Sequence, residues 1–281
     1  MSENPPARSK RWLAAVRIAG LTGMTLSFAV CLFVQRLLAR TPAARDRVIG
    51  RWIQRWGRWS CRIAGVRLSM QGTPPTTGAL LAPNHTGYMD IIAISAAAPC
   101  YFVPKGEIGS WPGIGALLKW LRLPFISRRQ SRDLFEVMGR LEGLFENGQN
   151  VCVFLEGTSS GGDCVLTLRP ALLQATVKNQ VPIVPVGLVW SSANPAVRRE
   201  EDIAYWKKEH VFAPHLWRLA GLRGTCVEVR FGDPLTLSPD EDRRLVAQEV
   251  RRRILDLLEL EDNPEAAKRS IPLPERKTGT A

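Results

Sequence analysis

No Cys-x-x-Cys pair and no regular spacing joins the six cysteines, Cys31, Cys61, Cys100, Cys152, Cys164 and Cys226. That absence leaves buried free thiols as the plain reading and fits a reducing, cytoplasm-facing environment. Histidine is scarce, with three residues in 281, and no carboxylate or thiolate cluster accompanies His210 and His215, so no metal is expected. No internal repeat runs through the chain. Acidic residues are outnumbered, 26 against 38 lysines and arginines, for a formal net charge of +12. Such an excess points to nucleic acid or to an anionic membrane surface, and its distribution decides between them. The apolar fraction of 45% is that of an ordinary globular chain, enough to build a core without cross-links.

The positive charge gathers around an apolar stretch, which favours membrane over nucleic acid. Residues 1–11 end in Arg8, Lys10 and Arg11, and Trp12 to Val34 is apolar apart from Arg17 and a few small polar residues. Its cleanest part, Ile18 to Val34, is at the short end of the ~17–25 residues a spanning helix needs. Trp12–Val16 lengthens it, with Arg17 expected to snorkel toward the headgroups. A buried soluble helix is the competing reading. The run is too long for a signal peptide, and no convincing cleavage site follows it. Next, Arg47, Arg51, Arg55, Arg58 and Arg62 recur at steps of three or four. At about 100° per residue they fall within an arc of roughly 80°. Val48, Trp52, Trp56, Trp59 and Ile63 form the neighbouring face, a pattern suited to a bilayer interface. The alternative is a core-facing helix with a solvated basic side. Thr41-Pro42 separates the two segments and implies a helical hairpin anchored to one leaflet. Because positive charge flanks both ends of the first helix, it does not orient a single span.

Beyond residue 67 short apolar runs alternate with mixed segments. Strands are expected at Val66–Met70, Ala79–Pro83, Tyr101–Pro104, Pro124–Ser127, Val151–Leu155, Ile183–Trp190 and Cys226–Phe231. Helices are expected at Asp90–Ala97, Ser131–Glu146, Pro170–Asn179 and Asp240–Leu260, the last with Ser238 as N-cap and Pro239 in first position. The pattern implies an α/β fold, a mainly parallel, roughly seven-stranded sheet flanked by helices behind an N-terminal membrane-anchoring hairpin. The expected divisions are a basic segment and membrane helix over 1–40, an amphipathic interfacial helix over 41–67, an α/β domain over 68–260 and a disordered polar tail over 261–281.

His85 follows a strand ending in Pro83, at a strand-to-helix turn where α/β folds place reactive groups. Asp90, five residues on, lies near the first turn of the next helix. A carboxylate there can hold one imidazole nitrogen and leave the other free as a base for a hydroxyl or amine. The spacing alone is weak, since a histidine bonding a helix-capping aspartate is a common structural feature.

The surrounding blocks are more specific. Asn84 to Asp90 reads Asn-His-x-x-x-x-Asp. Lys105-Gly106-Glu107, Trp111-Pro112-Gly113-Ile114-Gly115 and Phe125-Ile126-Ser127-Arg128 form a second block, Phe154-Leu155-Glu156-Gly157-Thr158-Ser159 a third, and Val181-Pro182-Ile183-Val184-Pro185-Val186 a fourth. In this order the chain resembles the phospholipid and glycerol acyltransferase family. The resemblance implies that His85 is the general base on an acceptor hydroxyl, oriented by Asp90. It implies that Lys105 and Arg128 hold an anionic headgroup, and that Glu156, Gly157 and Thr158 shape the acceptor site. It further implies acyl-CoA or acyl-carrier protein as co-substrate, no other cofactor, membrane lipids as partners, and an active site on the cytoplasmic face of the inner membrane. Two positions depart from the pattern: Leu155 stands for Pro, and Ser159 for an Arg that grips phosphate, a role Ser cannot fill. Arg169 is the candidate to compensate. The run Glu156 to Gly162, with Tyr205-Trp206 and Pro214-His215-Leu216-Trp217, is similar to lyso-ornithine lipid acyltransferases, although Lys207-Lys208-Glu209 replaces an expected Gly-Asp. The expected activity is acylation of lysophosphatidate, with a lyso-aminolipid as the alternative acceptor. A non-catalytic membrane-peripheral binding protein is the rival of another class.

Overall fold

The computed structural model describes residues 9–76, 78–126, 131–207 and 209–268. Six strands form one sheet: β1 (Arg67–Gln71), β2 (Leu80–Pro83), β3 (Tyr101–Phe102), β4 (Val151–Cys152), β5 (Ile183–Ser192) and β6 (Thr225–Phe231). Their order is β1-β6-β5-β2-β4-β3, parallel throughout except for the antiparallel β5–β6 pair. Of the expected strand at Pro124–Ser127, the described residues Pro124–Ile126 form an isolated parallel bridge between Ile126 and Lys105, and Ser127 lies outside the described residues. Proline at its start removes a ladder donor there.

Strand alternation builds two cores. Leu80, Ala82, Val151, Val153 and Ile183 point to one side, against α5 (Ser131–Glu146), α6 (Gln174–Lys178) and α8 (Arg243–Leu258). Leu81, Cys152, Val184, Val186, Leu188, Val227 and Val229 point to the other, against α3 (Met89–Ala97). Burial of each such aliphatic side chain contributes about 1.5–3 kcal/mol. The expected helix over Pro170–Asn179 is a 3₁₀ turn, Pro170–Leu173, followed by α6. The last long helix starts later than expected. Ser238 and Glu241 close a turn on themselves, and Asp242 is the N-cap, accepting from Arg244 N–H at 2.8 Å. The polar tail is also ordered at its start. Asn263 caps α9 (Pro264–Ala267), and Ala266 and Ala267 are buried against the Cys164–Thr167 segment. Residues 269–281 lie outside the described residues.

The N-terminal hairpin is α1 (Arg11–Leu38) and α2 (Pro42–Ala64), with Thr41 capping α2 through Ala44 N–H. The arginine stripe of α2 is exposed as expected, but two of the three tryptophans turn toward α1. Trp52 Nε1 donates to Gln35 at 2.8 Å and Trp56 Nε1 to Thr25 at 3.0 Å, so both pack on α1 while Trp59 is exposed. Indole N–H groups that become buried need acceptors, and the polar positions of α1 supply them. At Gly57 a Cβ would meet Ser95 Cβ and Ala96 N at 2.5 Å, so α2 and α3 touch backbone to backbone.

The apolar face of α1 stays uncovered, with Leu26, Val30 and Leu37 63–70% exposed. Arg17 does not snorkel. It donates to Ala220 O (3.0 Å) and Leu222 O (2.5 Å), carbonyls at the C-terminus of α7 (Phe212–Ala220), where the helix dipole attracts a cation. At the other end Arg36 donates to Trp120 O of α4 (Ile114–Trp120), and Phe33 stacks on the Trp120 ring at 5.9 Å. Arg17 and Arg36 are about 28 Å apart along the helix. A helix tied at both ends to one α/β domain runs along that domain rather than away from it.

Candidate active site

β2 delivers the chain to the site, and the side chain of Asn84 prolongs the strand. Its Oδ1 accepts from Leu188 N–H at 2.7 Å and its Nδ2 donates to Leu188 O at 3.3 Å, fixing the turn to β5. The turn closes on Asp90, which is fully buried. Oδ2 accepts from His85 Nδ1 (2.8 Å), Thr86 N–H (2.5 Å) and Gly87 N–H (2.9 Å). Oδ1 accepts from Thr86 Oγ1 (2.8 Å) and Trp190 Nε1 (2.7 Å). A carboxylate meeting two backbone N–H groups and an indole N–H acts as acceptor throughout, so the proton of the His85–Asp90 bond resides on Nδ1. Nε2 of neutral His85 then carries the lone pair, on a side chain 17% exposed. The ring lies on Phe154, centroids 4.0 Å apart and 26° from parallel, and Phe154 faces Phe102 on its far side.

The third block braces this turn. Glu156 is buried, and its two oxygens accept from His85 N–H (2.7 Å) and Leu166 N–H (2.8 Å). Burial pushes its pKa up to about 8, against the pull of those two N–H groups. Glu156 thus supports the histidine backbone, while Gly157 and Thr158 beside it are half-buried and Arg169 is exposed. Gly157 holds φ +68°, and a Cβ there would lie 2.7 Å from Arg169 Nε, so the guanidinium rests on a glycine that only a missing side chain accommodates. The Gly157 N–H is committed to Phe154 O at 3.0 Å. Ser159 donates to Tyr205 O (2.6 Å), and Ser160 N–H to His85 O (2.8 Å). Lys105 is exposed three residues beyond β3, set by the Ile126 bridge; Arg128 lies outside the described residues.

Several partners were not read from sequence. Thr86, Gly87 and Trp190 complete the Asp90 environment; the alternation Val186, Leu188, Trp190 along β5 put that indole on the buried face, where it needed an acceptor. Tyr88 Oη bonds His215 Nδ1 at 2.9 Å and packs with Tyr205 and Phe212, so the distant segment closes over the turn. Burial, and next the neighbouring His210, push the His215 pKa down to about 4, leaving it neutral at pH 7. Among the described residues no group of three or more His, Cys, Asp or Glu side chains could hold a metal.

A buried aspartate orients a partly exposed histidine at the end of a central strand, beside an arginine-covered glycine loop, an arrangement able to take a proton from a hydroxyl brought to it. The family model described as Acyltransferase matches residues 66–189, which contain His85, Asp90, Glu156 and Arg169, and the chain belongs to that family. The particular relatives divide by acceptor. A lyso-ornithine lipid O-acyltransferase from Rhodobacter capsulatus is 30% identical over 261 residues, covering 87% of this chain and 90% of the relative. Another from Rhizobium meliloti is 29% identical over 224 residues, covering 74% and 76%. The crystal structure of the 1-acyl-sn-glycerophosphate (LPA) acyltransferase PlsC from Thermotoga maritima shares the fold, with a TM-score of 0.65, 21% identity and coverage of 90% of this chain and 97% of that one.

Proposed function

We propose that this acyltransferase moves a fatty acyl chain from an acyl thioester to the hydroxyl of a one-chain membrane lipid, with His85 as general base. The Asp90–His85 geometry carries the reading. The acceptor O–H gives its proton to His85 Nε2 as its oxygen bonds to the thioester carbonyl carbon. The tetrahedral intermediate then expels the thiolate, which takes that proton back from the imidazolium. Asp90 holds the ring in the needed tautomer and offsets the imidazolium charge. The donor is acyl-CoA or acyl-carrier protein, and no covalent acyl-enzyme is required.

The acceptor we favour is a lyso-ornithine lipid. Ser159 brings no charge to the third block, and the relatives with that acceptor cover most of the chain. Lysophosphatidate is the second reading, supported by the name of the structural relative. The exposed face of α1 and the arginine stripe of α2 seat the hairpin in one leaflet of the cytoplasmic membrane, at the depth of the acceptor hydroxyl. Purified protein in detergent, given labelled acyl-CoA or acyl-carrier protein with each acceptor in parallel, tests this. Transfer to lyso-ornithine lipid is expected, transfer only to lysophosphatidate reverses the order of acceptors, and thioester left unconsumed in every mixture rejects the reaction.

A further inference from the structure

Beside the catalytic turn lies a floor of two adjacent glycines, Gly161 and Gly162. Gly162 holds φ +82°, and the position a Cβ would take there is 3.3 Å from Thr86 Cγ2 and 3.4 Å from Arg199 Nε. At Gly161 the corresponding point is 3.1 Å from the indole of Trp206. A guanidinium from a remote segment therefore lies close over Gly162, the glycine that also faces Thr86, the residue after His85. Thr86 itself donates twice to Asp90, at 2.5 Å and 2.8 Å. The left-handed φ keeps position 162 a glycine, with the guanidinium within van der Waals reach of it.

Arg199 opens a single π-helical turn, Arg199–Ile203, a wide turn found frequently at functional sites. Two acids of that turn are engaged elsewhere. Glu201 pairs with Lys207, and Asp202 accepts from Arg198 N–H at 2.8 Å and pairs with Arg218 at 3.2 Å. The carboxylate partner of Arg199 is its neighbour Glu200, at 3.6 Å with side chains 36% and 49% exposed. Such a loose surface pair is worth little, and a better-placed anion displaces it. Asp163 stands on the Trp206 side of the same floor, its Oδ1 3.3 Å from the Gly161 Cβ position.

We propose that Arg199 is a specificity-determining residue that binds the anionic group, carboxylate or phosphate, of the one-chain acceptor. It acts on the Thr86–Gly162 side of the turn, with Arg169 over Gly157. The proposal rests on the reading that the acceptor is a charged single-chain lipid. A planar guanidinium grips either anion through two parallel N–H bonds and orients the headgroup as well as attracting it.

The test measures equilibrium binding of labelled lyso-ornithine lipid, lysophosphatidate and uncharged monoacylglycerol to the full-length protein in neutral detergent micelles. Wild type, Arg199→Ala and Arg199→Lys are compared, followed by acceptor KM and thioester KM for each, with melting temperatures as the folding control. Arg199→Ala is expected to weaken the charged acceptor about ten- to a hundredfold, with Lys recovering part of the loss. Monoacylglycerol binding and thioester KM are expected to stay unchanged. Loss confined to lyso-ornithine lipid assigns the anion as carboxylate; loss confined to lysophosphatidate assigns it as phosphate. Unchanged binding of both charged lipids, or an equal loss for monoacylglycerol, overturns the proposal. Binding needs no turnover, so a protein that binds through Arg199 yet transfers no acyl group rejects the reaction and keeps this inference. One that transfers normally after Arg199→Ala does the reverse.

Discussion

Replacing Asp90 with Asn keeps the shape of the side chain and exchanges one acceptor oxygen for an NH₂ group. The carboxylate accepts from five donors, three on Oδ2 and two on Oδ1. With the amide oxygen toward His85, the new NH₂ meets Trp190 Nε1–H and leaves that buried donor unsatisfied, at about 1–3 kcal/mol. With the amide turned over, it meets Thr86 N–H, Gly87 N–H and Nδ1, and His85 is driven to the wrong tautomer. Either way the charge that offsets the imidazolium is gone, and a loss of about 10³–10⁴ in kcat is expected, equivalent to about 4–5.5 kcal/mol. Initial rates of thiol release at saturating acceptor give the kcat ratio. A melting curve in the same detergent, expected to drop about 2–4 °C per kcal/mol, gives the structural cost separately. A variant that keeps more than about a tenth of the wild-type kcat refutes the assignment of Asp90 as the group that makes His85 a base.

Three other perturbations probe the frame around the site. Glu156 has a folded-state pKa raised to about 8, so the stability linked to it is full below the ordinary carboxylate range and is lost as pH rises through about 8. The melting temperature of wild type is expected to fall relative to Glu156→Gln between about pH 5 and 8; parallel curves would contradict the raised pKa. Gly57→Ala forces a methyl into Ser95 and the Ala96 backbone, and is expected to cost about 1–3 kcal/mol by denaturant melt, whereas no change would show that α2 and α3 part easily. Changing Arg47, Arg51, Arg55, Arg58 and Arg62 together to Gln removes about 1 kcal/mol of surface attraction per residue. Flotation with anionic vesicles is expected to fail while the protein stays folded; undiminished flotation places the membrane contact elsewhere.

The contact between His85 and Asp90 was legible because its logic is local. His85, Asp90 and the strand before them lie within a few residues, and one turn of chain brings them into contact. α5 was legible at both ends for the same reason, since an amphipathic period needs no distant partner to be read. What escaped depended on neighbours far along the chain. Trp52 and Trp56 of α2 looked like lipid anchors until α1 offered Gln35 and Thr25 as acceptors. Arg17 looked like a snorkelling cation until the carbonyls at the end of α7 came within reach. Glu156 read as an acceptor-site residue, because nothing in its block signals that both oxygens meet backbone N–H groups 71 and ten residues away. The ordered start of the tail had a local signal, Asn263-Pro264, outweighed by the polar composition around it.

Removal of the acceptor proton by His85 Nε2 is tested by label incorporated into two-chain lipid by purified wild type and by His85→Gln, under the same acyl thioester and acceptor, with both proteins matched in melting temperature. Steady incorporation by wild type and loss of at least about 10³-fold in the variant is expected. Two-chain product formed by the variant at a rate near wild type contradicts it.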